Sequence, residues 1–441
     1  MEQFVELMLA TDRKAREMID KARQAKAQAV ADAQKQAEEI CAADEKRLAA
    51  GKAQVDAALA EEKQAQAKAL DEEFLRAKHA LDGRFDANRD AWLDGLSTLA
   101  IVPKAKAIAA RRLTKSEYEA LARKRSVIEV TAALQAHPSF KKCLAGVSQT
   151  NLHRAQLEEA LRKDIFFKYE SLMRYSFRKG HFGAYFLMRC EIDELLTKLR
   201  LLSMGFHHHY IVHLPGFLAD KTSFSLLALA KAQTPAQCLP VLAGTPYAKV
   251  LQSVLPAQGE ALDYLACEHA FETYYYGTVL QLISRDLKGA AAKDTRLLFL
   301  QQAEIYNLDM LYRAKTFFAG QFTPAVLCRL LLPYWNVLSQ RKMEQLAAAR
   351  DTAEFLRLYN ASRAAALYGE RREGGAGSAE ICEQRVLRRS AERLIHFSST
   401  PHTVLAALLV LCDIERSNII NIIEGVRYGL SPDDIAAFLK Y

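Results

Sequence analysis

The chain has 441 residues, half of them hydrophobic, with 19 Gly, 11 Pro and a formal charge of +8. That length allows two or three domains with real cores, and an Ala- and Leu-rich composition with few breakers favours helix over sheet. The longest strongly apolar run, Thr403–Cys412, is about half of what a bilayer span needs, and the basic balance lacks the aromatic-plus-basic motif of a nucleic-acid surface.

The N-terminal stretch carries no leader pattern: Met1, Glu2 and Gln3 are acidic overall, and no apolar run with a cleavage site follows. Residues 1–100 hold 25 alanines, three glycines and no proline, with charges of both signs interleaved and a balance of −4, against +12 for the remainder. This predicts one long exposed helix. Leu7, Met18, Ala29 and Ile40 are 11 apart, and Leu48, Leu59, Leu70, Leu81 and Trp92 form a second register with the same step. An 11-residue stripe winds into a right-handed coiled coil, and the alanines Ala22, Ala25, Ala33 and Ala37 would let a partner helix approach closely. Such a stripe buries too little alone, so a partner helix is expected in preference to a single solvated helix. Gly83, Gly95 and Pro103 weaken the helix, which divides the chain into a coil over 1–100 and a second region over 101–441.

The second region repeats itself. Leu134–Pro138 and Leu242–Pro246 lie 108 apart, each ending in a proline expected in a break between helices. Three segments share a pattern: Glu191, Glu194, Leu195; Glu304, Asn307, Leu308; and Glu415, Asn418, Ile419, with the first glutamates 113 and 111 apart. Each runs on through an apolar stretch to Gly205, Gly320 or Gly429, a common place for a helix to stop. The expected fold is therefore all-α, with three repeated helical-bundle modules. In the third, Asp351–Tyr359 keeps the helical pattern without the proline, and Gly369 with Gly374, Gly375 and Gly377 marks an exposed loop. At the end, Ser431 should cap a last helix with Pro432 at its first position and Ile435, Phe438 and Leu439 on one apolar face.

Candidate chemistry is sparse. His207, His208, His209 and His213 suggest a metal at first sight, but adjacent histidines point apart and no Asp, Glu or Cys stands at a supporting spacing, so a polar loop is expected. Gly289–Thr295 has neither the second glycine nor the length of a phosphate loop, and no hydrolase motif occurs. Tyr274, Tyr275 and Tyr276 read as helix packing with one ring exposed, and the eight scattered cysteines as reduced, buried thiols. No catalytic residue, cofactor site or metal site is expected. The repeated polar pairs Glu191/Glu194, Glu304/Asn307 and Glu415/Asn418 share one helix face. They either tie modules together and line a shared surface, or form a hydrated face. Arg200 and Arg313, nine residues past their glutamates, fall on the opposite side.

The run Asp413–Ile435, together with Arg111–Tyr118 and Leu134–Phe140, resembles the V/A-type ATPase central-stalk family, which comprises the C-type subunits of prokaryotic enzymes and the d-type subunits of the eukaryotic V-ATPase. The likeness covers about 101–441, and Glu194 stands where the family pattern has Asn. It implies a funnel of three helical bundles, peripheral on the cytoplasmic side of the membrane. The funnel would sit on the rotor ring of membrane subunits and hold the central-shaft subunits. It would couple ATP hydrolysis or synthesis to proton or sodium transport without catalytic residues. Residues 1–100 are similar to G/H-type peripheral-stalk subunits, which implies a peripheral-stalk helix as their partner. A stator coil on a rotor funnel is a conflict. The coil rides on the rotor, the chain is cut near residue 100, or two genes have been joined. The other class of function is a helical-repeat adaptor or scaffold with a coiled-coil dimerisation arm. No nucleic acid and no small-molecule substrate is expected as a partner in either case.

Overall fold

A computed structural model describes residues 26, 28–36, 38–43, 58–147, 154–175, 182–207, 209–257, 260–371 and 378–440. Among these the regular elements are all helices, as the composition predicts. Two compact units result, Met1–Ala107 with Tyr175–Phe177, and Ile108–Arg174 with Arg178–Tyr441.

In the first unit, residues 28–36 and 38–43 are helical, and a long helix, Ala58–Ala110, begins there and runs unbroken through Gly83, Gly95 and Pro103. The expected weakening at those positions is overruled. Each glycine costs about 1 kcal/mol and the proline about 3, which local breaks would save only by giving up several hydrogen bonds. Of the stripe, Ala29, Ile40, Leu70 and Leu81 are exposed. Leu7, Met18, Ala22, Ala25, Ala37 and Leu48 lie outside the described residues, as do the side chains of Leu59 and Trp92.

The second unit is built on six long helices: Arg154–Met173, Tyr185–Ser203, Tyr264–Asp286, Gly289–Phe317, Ser378–Phe397 and Pro401–Arg427. Their packing runs in a circuit. Arg154–Met173 packs on Pro401–Arg427, which packs on Ser378–Phe397, then Gly289–Phe317, Tyr264–Asp286 and Tyr185–Ser203. The Arg162–Glu194 ion pair, 2.8 Å, returns from the last to the first. The three helices that carry the Glu motifs all stop at glycines with positive φ, 79° at Gly205, 78° at Gly320 and 69° at Gly429, a backbone state that penalises any Cβ.

Short capped helices pack on one another and, in part, against the long ones. Ser225 and Thr234 cap Leu226–Lys231 and Pro235–Val241, Asp351 and Ser362 cap Thr352–Asn360 and Arg363–Tyr368, and Thr114 and Ser126 cap Lys115–Ala122 and Val127–Ala136. Each cap oxygen accepts from a first-turn N–H that has no partner within its own helix. Pro138 follows the end of Val127–Ala136, and Pro246 precedes Tyr247–Gln252, so both prolines do sit in breaks. One core cluster joins the two ends of this unit: Leu113, Leu121, Val130, Leu134 and Leu144 pack with Ile419, Ile422, Ile423, Ile435 and Leu439. The last helix is Pro432–Ala437, capped by Ser431. Ile435 and Leu439 are buried, but Phe438 is 38% exposed, so the expected apolar face holds two side chains and not three. Gly374, Gly375 and Gly377 lie outside the described residues. No described helix is long and apolar enough to cross a membrane.

Candidate functional site

The six motif residues are buried. Glu191, Glu194, Glu304, Asn307, Glu415 and Asn418 are each at most 5% exposed. This corrects the reading of them as a hydrated face, and each is satisfied by hydrogen bonds from segments far away in sequence. Glu304 accepts from the backbone N–H of Val337 (2.9 Å) and Leu338 (2.7 Å), from Tyr368 Oη (2.7 Å) and from Asn336 Nδ2 (3.2 Å). Glu191 accepts from the N–H of Ser223 and from Tyr247 Oη. Glu415 accepts from the N–H of Leu113 at 2.7 Å. In each case the amide lies just ahead of a short helix, beginning at Leu226, Gln340 or Lys115. A carboxylate is the suitable side chain, because it offers several lone pairs to donors that burial would otherwise leave unpaired.

The second motif residue works similarly. Asn307 exchanges two bonds with Leu332, Oδ1 accepting from its N–H at 2.8 Å and Nδ2 donating to its carbonyl at 3.0 Å. Asn418 Oδ1 accepts from the N–H of Lys440 at 2.9 Å. Glu194 differs, as its residue type does. It takes Arg162 Nη2 (2.8 Å) and Tyr210 Oη (2.9 Å). Burial raises the Glu194 carboxyl above its usual value, and Arg162 pulls it partly back. Burial likewise raises Glu415, offset in part by Lys168.

On the other side of these helices lies a cavity of about 1760 Å³. All six long helices contribute to its lining, among them Glu158, Arg162, Arg189, Asp193, Arg200, Glu268, Glu272, Tyr306, Arg313, Gln384, Asp413 and Arg416. Arg200 and Arg313 therefore sit where the half-turn argument puts them, away from their glutamates. Arg189 is the central cation. It reaches both oxygens of Glu272 at 2.7 and 2.8 Å and Asp193 through Nε at 2.8 Å, with the Tyr275 ring 5.1 Å away. Burial works against that charge, but Asp193 and Glu272 outweigh it and hold the guanidinium protonated. Arg416 joins Glu158 (3.0 Å) and Asp413 (2.7 Å). Burial raises Glu268, and the neighbouring Glu272 charge adds to that. The wall is thus mixed: charged side chains held in pairs stand among apolar ones such as Phe186, Leu196, Phe299, Ile305 and Leu409, which supply the larger share of its surface.

Tyr275 and Tyr276 are buried in Tyr264–Asp286 and Tyr274 is half-buried. Gly289–Thr295 opens the helix Gly289–Phe317. His207 and His209 are exposed, while His208 and the side chain of His213 lie outside the described residues. Their loop is not simply polar: Met204, Phe206, Ile211 and Val212 are exposed in it, and it is pinned by buried Tyr210 on Glu194 and by Lys198 Nζ on the His207 carbonyl (3.2 Å). Of the cysteines, Cys238, Cys267 and Cys412 are buried and Cys143, Cys190 and Cys328 half-buried, while Cys41 is exposed, against the expectation of burial, and the side chain of Cys382 lies outside the described residues. Among the described residues no group of three or more His, Cys, Asp or Glu could hold a metal.

A family profile described as ATP synthase (C/AC39) subunit matches residues 101–438. No curated protein matches the sequence.

Proposed function

The chain belongs to the ATP synthase (C/AC39) subunit family, and on that premise we propose that it is a non-catalytic central-stalk component of a V/A-type rotary proton or sodium ATPase. It sits on the membrane rotor ring, receives the foot of the central shaft, and passes torque between the nucleotide-hydrolysing head and the ion-carrying ring. The three Glu-motif helices and their capped short helices form three related modules around the socket.

The observation that carries this reading is the cavity. Small-molecule sites run to about 300–1,000 Å³, and this one holds about 1760 Å³. A helix is about 10–12 Å across and rises 1.5 Å per residue, so the space takes roughly 10–15 residues of a helix end. Its wall suits torque better than turnover, because paired charges such as Arg189 with Asp193 and Glu272 fix the side chains that a guest would push against.

The reading is tested by filling the socket. Thr197→Trp with Gln302→Trp puts two large rings on half-exposed wall positions. The tagged, folded variant should lose copurification with the shaft proteins while the wild-type chain retains it. Equal recovery of shaft, head and ring with both proteins would overturn the assignment of this cavity.

A further inference from the structure

The Ala58–Ala110 helix carries an apolar stripe that water alone does not favour. Leu70 and Leu81 are 60% and 69% exposed, Phe74 and Phe85 51% and 53%. The spacing of 4, 7 and 4 puts them on one face over roughly 22 Å. An exposed apolar patch of this kind marks a surface that something covers. We propose that the occupant is the chain's own segment 26–43, which docks on this stripe as the antiparallel arm of a helical hairpin.

Three observations point to that segment. First, Lys26 Nζ already lies 6.0 Å from the centre of the Phe85 ring, which brings the start of the described helical residues 26, 28–36 and 38–43 to the far end of the stripe. Second, the chain dictates the direction. With residue 26 beside 85, a parallel arm would carry residue 43 to the level of 102, roughly 66 Å along the helix from residue 58. The 15 peptide steps from 43 to 58 span at most about 54 Å. An antiparallel arm ends near residue 68 and joins easily. Third, the register then matches. Starting from Lys26 opposite Phe85, Val30 comes opposite Leu81, Ala33 near Ala77, and Ile40 one residue from Leu70. Small residues at Ala29 and Ala33 leave room for the large side chains of the other arm. Both arms share the 11-residue step, so the match persists along the pair instead of drifting out of phase.

A tethered arm also outcompetes other occupants. A short linker holds it at millimolar effective concentration, well above that of a second copy or a free partner helix. The docked arm removes the need for a stator helix on this face, so a coil attached to the rotor is free to turn with it. That consequence rests on the proposed function, but the docking itself does not.

The test uses the full chain, isolated, with Cys41→Ser to remove the exposed native thiol. Lys26→Cys with Phe85→Cys supplies the in-register pair, and Asp32→Cys with Phe85→Cys an out-of-register control. After mild oxidation, peptide mapping should find an intrachain 26–85 disulfide whose yield is independent of protein concentration and well above the control. Adding Leu70→Lys and Leu81→Lys should shift the docked-to-undocked ratio by roughly tenfold or more. A disulfide between chains that grows with concentration would overturn the proposal in favour of a second copy. Absence of any 26–85 disulfide, or equal yields for both pairs, would overturn it in favour of an outside partner. None of these outcomes depends on whether the chain joins a pump.

Discussion

Replacing Glu304 by alanine should remove a large part of the stability of the unit that contains it. Glu304 is fully buried and accepts from four donors: the Val337 and Leu338 amides, Tyr368 Oη and Asn336 Nδ2. Alanine leaves the buried Leu338 amide and the half-buried Val337 amide without their acceptor, and removes one partner of the Tyr368 hydroxyl. At about 1–3 kcal/mol for each orphaned donor the two amides lose roughly 2–6 kcal/mol, before any cavity term, against a total of about 5–15 for a domain. Glu304→Gln keeps one oxygen for the two amides but offers an NH₂ where Tyr368 and Asn336 donate, so its cost should fall between wild type and alanine. The assay is denaturant unfolding followed by hydrogen exchange at Val337 and Leu338. If Glu304→Ala costs under about 1 kcal/mol and those two amides keep their protection, the carboxylate does not hold this loop and the reasoning is wrong. The same geometry means that Glu415→Ala with Asn418→Ala cannot serve as a gentle probe of coupling, because it would free the Leu113 and Lys440 amides inside the protein.

Gly425→Ala places a Cβ 2.6 Å from Ile435 Cγ1 in a closed core, an overpacking worth about 1–3 kcal/mol, and Ile435→Ala should make the double variant less costly than the sum; additive losses by thermal unfolding would refute the contact. Arg189→Met leaves the buried Glu272 carboxylate without its cation and should cost about 3 kcal/mol, the lower end for a broken buried pair because Asp193 is 39% exposed, whereas Arg189→Met with Glu272→Gln should recover much of it. For pH, burial raises the Glu415 carboxyl above its usual 4.5, so its neutral form is favoured in the fold. That contribution is fully present below 4.5 and is lost as pH rises through the raised value. The stability of Glu415→Gln relative to wild type should therefore improve as pH rises from 4.5, and a flat or opposite trend in paired urea titrations would contradict the burial argument.

Much of the fold was legible because its signals are local. The helix stops at Gly205, Gly320 and Gly429 need only a residue that tolerates positive φ, and the cap at Ser431 only a short side chain before Pro432. The burial of the motif was not legible. Glu and Asn on one helix face look the same whether water or a distant amide satisfies them, and the Leu113 amide that meets Glu415 lies 302 residues away. The cavity wall was half legible. Arg189 and Asp193 are a readable i, i+4 pair, but Glu272, 83 residues on, carries no signal that names Arg189. Arg371 gave none at all: it is buried against Tyr312, Phe355 and Tyr359 and reaches Asp309 at 3.2 Å, in a place where sequence alone suggests an exposed loop.

The most direct test of the coupling role is ion transport per ATP hydrolysed, measured in membranes from cells whose only copy of this chain is either wild type or Thr197→Trp with Gln302→Trp. The account predicts that the variant membranes lose ATP-driven proton or sodium uptake while the head retains hydrolysis. Uptake and hydrolysis in the wild-type ratio, with the variant chain present and folded, would contradict it.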